Sequence, residues 1–175
     1  MFPDMKLTEN ATPQPGKTYA INKKGSDTVV TLVDGTNVAM RYWEGLASQK
    51  WECAEKDGWL GFVCRASTAY DRGAYLGHDY HDSQQSLVCS KPHHRDDEHF
   101  QVVLHDEGFA WVIRKDNRNH FVGIGGDGSR IRISAKGTTW WGFTAIDGSS
   151  STVSYAPSAR SLSVDAPQMK LVLHW

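Results

Sequence analysis

Cysteine is scarce in this chain of 175 residues, and the three present, Cys53, Cys64 and Cys89, are odd in number and irregularly spaced. That excludes a scaffold of paired disulfides, and without a CxxC pair there is no thiolate zinc motif. Each cysteine sits in a short apolar run, so all three are expected to behave as small buried hydrophobes. Also missing is any stretch near the roughly 20 consecutive apolar residues of a membrane-spanning helix. The start, Met1-Phe2-Pro3-Asp4-Met5-Lys6, lacks the apolar segment of a secretory leader. A cytoplasmic protein is therefore the expectation, with a secreted chain whose leader has been removed as the alternative. No sign of charge dominates: 19 Lys and Arg stand against 20 Asp and Glu, a formal net charge of -1. That leaves no bulk field for nucleic acid or an anionic membrane, and neither is expected as a partner. The small basic clusters, Lys23-Lys24 and Arg130 to Arg132, are accounted for by a solvated surface. Helical spacing is absent too; its nearest approach, residues 47–56, contains the aromatic strand start Trp51.

Glycine (16) and tryptophan (7) are plentiful. Apolar runs are short and broken by turn residues, as in an all-β barrel or sandwich. They fall at 18–21, 28–33, 37–42, 51–53, 59–64, 74–77, 86–89, 100–104, 109–114, 120–124, 130–133 and 140–146. Asp34-Gly35, Asp57-Gly58, Glu107-Gly108 and Asp127-Gly128 supply hairpin turns between them. Self-comparison finds three copies. The aligned aromatics Trp51, Phe100 and Trp141 are separated by 49 and 41 positions, and Tyr75-Leu76-Gly77 matches Phe121-Val122-Gly123. Three copies of about four strands close a six-stranded barrel capped by three hairpins, with one aromatic per copy in a shared core. The predicted organisation is an arm (1–15), one all-β domain (16–146, copies about 16–57, 58–107 and 108–146), and a linker with an extension packing on the domain (147–175).

The stretch from Asp34-Gly35-Thr36-Asn37 through Met40-Arg41-Tyr42-Trp43 to Gln49-Lys50-Trp51 resembles the ricin-B-type β-trefoil lectins and their fungal-type relatives. It repeats their order of an Asp/Gly turn, an alternating strand ending in an aromatic, and Gln-any-Trp. The second and third copies, with Tyr75-Leu76-Gly77-His78-Asp79 and Phe121-Val122-Gly123-Ile124, resemble fascin-like trefoil repeats. The resemblance covers about residues 16–146, and its specific element is the first Gln-any-Trp. It implies a β-trefoil and carbohydrate binding at hairpin loops. The sequence departs from the family at three points. Thr31 stands where sugar-binding copies carry an early Asp, and Glu98-His99-Phe100 and Thr139-Trp140-Trp141 replace Gln-any-Trp. Trefoils also serve as protease inhibitors, actin bundlers and growth-factor-like ligands, so fold alone does not choose.

Sugar recognition asks for an exposed aromatic face with acids or amides nearby. His78, Asp79 and Tyr80 fit that in the second copy, Asp34, Asn37 and Trp43 in the first, and Asp127 with Trp111 or His120 in the third. Five of the eight histidines fall between positions 78 and 99. Of these, His78, His81, His93 and His94 could supply nitrogen ligands to zinc or nickel, with Asp79 or Asp82 as a carboxylate. A charged, solvated loop is the plainer reading. Gly123-Ile124-Gly125-Gly126-Asp127-Gly128 superficially matches a dinucleotide loop, but an alternating strand follows instead of a helix, and no cofactor is expected. Ser149-Ser150-Ser151 reads as a linker, and the apolar end 169–175 suggests either a strand covering the barrel or a homodimer contact.

The leading expectation is a non-enzymatic protein that binds a glycan or another small molecule. The alternatives are a protein-interaction trefoil of inhibitor or cytoskeletal type, and an enzyme or metal protein using the His-rich loop.

Overall fold

A computed structural model describes residues 12–83, 85–137 and 139–146. The first repeat contributes β1 (Thr18–Lys23), β2 (Thr28–Val33), β3 (Asn37–Tyr42) and β4 (Trp51–Lys56). The second contributes β5 (Trp59–Cys64), β6 (Ala74–His78), β7 (Leu87–Lys91) and β8 (Phe100–His105). The third contributes β9 (Gly108–Lys115), β10 (Arg118–Ile124), β11 (Ile131–Ser134) and β12 (Trp141–Ala145). The segment 47–56 is not a helix: a single 3₁₀ turn, Ala47–Gln49, leads straight into β4. A matching turn, Asp96–Glu98, leads into β8.

The first and last strands of each repeat pair in a ring, β1–β4–β5–β8–β9–β12 and back to β1, all antiparallel. That ring is a closed six-stranded barrel without an edge to protect. The remaining strands form three hairpins, β2–β3, β6–β7 and β10–β11. Each hairpin tip lies on the next hairpin. The carbonyls of Thr36, Gln85 and Ser129 accept from the N–H groups of Cys89, Ile133 and Met40 at 2.7, 3.0 and 2.8 Å. The architecture is a β-trefoil of three four-stranded repeats.

Strand alternation explains the core. Residues such as Ile21, Trp51, Phe62 and Phe143 point inward and are fully buried. Phe62 sits at the centre of the aromatic layer, with ring centroids 5.7 Å from Phe100, 5.5 Å from Trp111 and 5.9 Å from Phe143. Such pairs add about 0.5–1.5 kcal/mol each beyond their buried area. The repeat aromatics Trp51, Phe100 and Trp141 all belong to the same buried core. Cys53, Cys64 and Cys89 are free and buried, and burial pushes the Cys53 and Cys89 thiols up to about 12. The arm through residue 11 and the extension from 147, with the homodimer contact expected of it, lie outside the described residues.

Two of the three repeat aromatics also tie barrel to cap. The Trp51 indole Nε1 donates to the Val30 carbonyl at 2.9 Å, and Trp141 does the same to Val122 at 2.8 Å. Phe100, at the second position, has no N–H to give. Trp51→Phe therefore removes a buried donor and opens a small void, and should cost about 2 kcal/mol in urea unfolding. An unchanged midpoint and slope would mean that this bond contributes nothing.

Candidate functional site

His78 ends β6 and is 2% exposed, its ring edge-on to Tyr80 at 4.9 Å. Tyr80 is 55% exposed, and the Lys91 ammonium lies 5.7 Å from its ring centre. The neighbouring carboxylates are engaged in turn structure. Asp79 Oδ1 accepts from the His81 N–H at 2.9 Å, and Asp82 Oδ2 accepts from the Ser86 N–H at 3.2 Å. His81 and His93 are exposed on loops at opposite ends of β7. His94 instead enters a chain of ring contacts: it stacks on Tyr75 (5.5 Å) and meets His99 edge-on (5.1 Å), and His99 stacks on Trp59 (5.4 Å). The Arg114 guanidinium lies over the Trp59 ring, 5.2 Å from its centre. The four histidines proposed as metal ligands are therefore not brought together. His78 and His94 turn inward against aromatic rings while the other two face solvent. Among the described residues no group of three or more His, Cys, Asp or Glu is placed to hold a metal ion.

Burial sets the charge state of this repeat. Desolvation holds His78 down at about 4, with Lys115 adding to the effect and Asp79 opposing it. It also lowers His94 and His99. No hydrogen bond of good geometry reaches the ring nitrogens of these three. The Leu60 and Glu98 carbonyls do lie close enough to His94 to oppose its shift. Glu98 is 2% exposed, and burial pushes its carboxyl up to about 7 despite an N–H bond from Arg95 at 2.8 Å.

Glu98 occupies the place that Gln49 holds in the first repeat. Gln49 Oε1 accepts from the Glu44 N–H at 2.8 Å, and its Nε2 donates to the Tyr42 carbonyl at 2.7 Å and to Thr31 Oγ1 at 3.3 Å. The glutamine braces the loop that carries Trp43, and Thr31 serves that brace where an acid was expected. In the second and third repeats glycine replaces Thr31. A Cβ on Gly77 would meet Glu98 Oε1 at 3.0 Å, and one on Gly123 would meet Thr139 Oγ1 at 3.3 Å.

In the first repeat, Asn37 and Trp43 stand at opposite ends of β3, roughly 20 Å apart at about 3.3 Å per residue. They do not share a surface, and Asp34 belongs to the tip with Asn37. At its own end, Trp43 meets residues that the sequence reading passed over. Its N–H donates to the Asp27 carbonyl at 2.9 Å, and Tyr42 beside it is 75% exposed. Asp27 and Glu44 are exposed on either side. The signal for these residues is the aromatic doublet Tyr42-Trp43 at a strand end, of which only Trp43 stands among the sequence candidates.

In the third repeat, Asp127 Oδ1 accepts from the N–H groups of Ser129 and Arg130 at 3.1 and 3.0 Å, which makes it a turn residue first. Trp111 is fully buried in the aromatic layer and cannot form a platform beside it; His120 is half-buried. Two adjoining clefts, of about 650 and 430 Å³, open here on either side of Ile124, Gly125 and Thr139. The larger reaches Gln85 at the tip of the second hairpin, and the smaller is lined by Trp140. Trp140, placed at the start of the apolar run 140–146, precedes β12 and is only half-buried.

No protein-family model matches the chain, and no curated protein matches it in sequence. Solved structures match it in fold. The Macrolepiota procera ricin B-like lectin, in complex with lactose, is 18% identical with a TM-score of 0.61, over 77% of this chain and 99% of that one. The Rhizoctonia solani agglutinin is 18% identical with a TM-score of 0.58, over 78% of this chain and 100% of the other. A designed threefold-symmetric protein, ThreeFoil, is 14% identical with a TM-score of 0.61, over 74% and 99%. The chain thus has the β-trefoil fold of ricin B-like lectins, a likeness of fold at low identity.

The buried ionisable groups give opposing pH dependences. His78 is about 4 when folded against an ordinary 6.5, so the unfolded chain takes up its proton first. Its contribution to stability is lost as pH falls from about 6.5 to 4, by about 3 kcal/mol. Glu98, raised in the fold, contributes in the other direction and loses stability as pH rises from about 4.5 through 7. Urea titrations should show a shallower acid loss for His78→Phe than for the unaltered chain. Glu98→Gln should gain on the order of 2–3 kcal/mol at pH 8 and little at pH 5. A gain equal at both pH values would contradict a buried, titrating carboxyl.

Proposed function

We propose that this protein binds carbohydrate in the manner of a ricin B-like lectin, without catalysis, and that the outer end of the first hairpin carries its principal site. The observation behind this reading is the cluster of Tyr42, Trp43, Asp27 and Glu44. The Tyr42 ring is exposed at a strand end whose backbone is held by the Trp43 N–H bond to the Asp27 carbonyl and by the buried Gln49 brace on the Tyr42 carbonyl. A sugar's apolar face stacks on such a ring, and flanking carboxylates accept from pairs of its hydroxyls. The fold neighbour captured with lactose supports the ligand class and makes a galactoside the first one to try. Tyr80, with Asp79 beside it, offers a second, smaller platform in the second repeat.

Binding rather than chemistry also suits the histidines. His78, His94 and His99 are packed against rings, and burial favours their neutral forms. A glycan array followed by calorimetry tests the proposal. Tyr42→Ala should weaken the best neutral ligand by about tenfold or more, and Tyr80→Ala by less. Equal affinity for Tyr42→Ala and the unaltered chain would move the site away from the first repeat.

A further inference from the structure

The two clefts of the third repeat carry a charge pattern that the molecule as a whole does not have. Four cationic side chains line them, Lys23 and Lys24 in the smaller, Arg132 and Lys136 in the larger, against one carboxylate, Glu107. The chain's formal net charge is -1, so this is a local excess against a balanced background. Asp127 at the rim is paired with Arg130 at 3.4 Å and also feels the charge of Arg132, so the excess rests on the three lysines, Lys23, Lys24 and Lys136, against Glu107. The fold assembles the pattern from distant segments. Lys24 is anchored by its N–H to the Trp140 carbonyl at 2.9 Å, and its stem lies where a Cβ on Gly108 would stand, 2.8 Å away. Arg132 packs over Gly125, where a Cβ would meet Nε at 3.1 Å. Trp140, flanked by His105 at 5.2 Å, adds an aromatic wall, and Ser83, Gln85 and Thr139 add hydroxyl and amide groups.

We propose that the two clefts form one groove for an acidic saccharide, a short sugar chain bearing sulfate or carboxylate groups. The cations meet the anionic groups, Trp140 meets a ring face, and the hydroxyls and the amide meet the sugar's own hydroxyls. Nucleic acid fits less well, because a track for it needs a broadly basic face and this excess is confined to one groove. The inference rests on the carbohydrate reading for its choice of a saccharide as the carrier of the anionic groups. It concerns a different surface from the Tyr42 cluster, so the two can fail separately.

Calorimetry on the full chain with a sulfated, uronate-bearing hexasaccharide, a neutral hexasaccharide and a short single-stranded oligonucleotide tests it. The acidic hexasaccharide should bind, more weakly as salt rises, and Tyr42→Ala should leave that binding unchanged. Each lysine removed should cost up to about fivefold, so Lys23→Ala, Lys24→Ala and Lys136→Ala together should cost on the order of a hundredfold. No binding of the acidic chain, or full affinity in the triple variant, would overturn the proposal. An oligonucleotide binding as tightly as the sugar would overturn the assignment of a saccharide, as would a neutral hexasaccharide competing for the same groove. Loss of neutral-glycan binding elsewhere on the protein would leave it standing.

Discussion

Three backbone hydrogen bonds run in a cycle through the cap, from the second strand of each hairpin to the tip of the one before it. Only a carbonyl at each tip is required, and a carbonyl makes no demand on residue type. The tips have accordingly diverged in length and content. The first is a tight Asp34-Gly35 turn with both residues at positive φ, the second is a longer loop through Tyr80 and His81, and the third is the glycine-rich run around Asp127. A closed barrel beneath them supplies the rest of the constraint, since its aromatic layer is filled from all three repeats at once. The scaffold is cooperative in backbone and core, and permissive at its surface.

That permissiveness decides where specificity lies. The position held by Gln49 in the first repeat is Glu98 in the second and Thr139 in the third. Each makes a different local arrangement: a loop brace, a buried carboxyl raised to about 7, and a hydroxyl accepting from the Ile124 N–H at 3.2 Å. The same fold position thus lies beside an exposed aromatic in the first repeat, a run of buried histidine rings in the second and a cleft lined by cations in the third. The threefold pattern holds the domain together, and its breaks give each face its chemistry.

The fold was legible because its signals are local and repeated. Turn dipeptides and apolar alternation bracketed the strands, and the spacing of Trp51, Phe100 and Trp141 identified the copies. The sites were less legible, since each depends on which residues the closed barrel brings together. Nothing in the sequence says that Lys24 meets Trp140, or that Asn37 and Trp43 sit at opposite ends of one strand. Histidine density was misleading for the same reason. His78 and His94 pack inward on rings while His81 and His93 stay on separate loops. Tyr42 continues the alternation of the buried Val38 and Met40, yet it is exposed because the strand has by then passed the edge of the core.

The central claim is that the outer end of the first hairpin, around the exposed Tyr42, is the principal sugar site. The most direct measurement is a backbone amide NMR titration of the full chain with lactose. The account predicts saturable shifts concentrated at residues 26–28 and 42–49, with the aromatic core and the hairpin tips unmoved. Shifts centred instead on the His78–Tyr80 loop, or none at millimolar sugar, would contradict it.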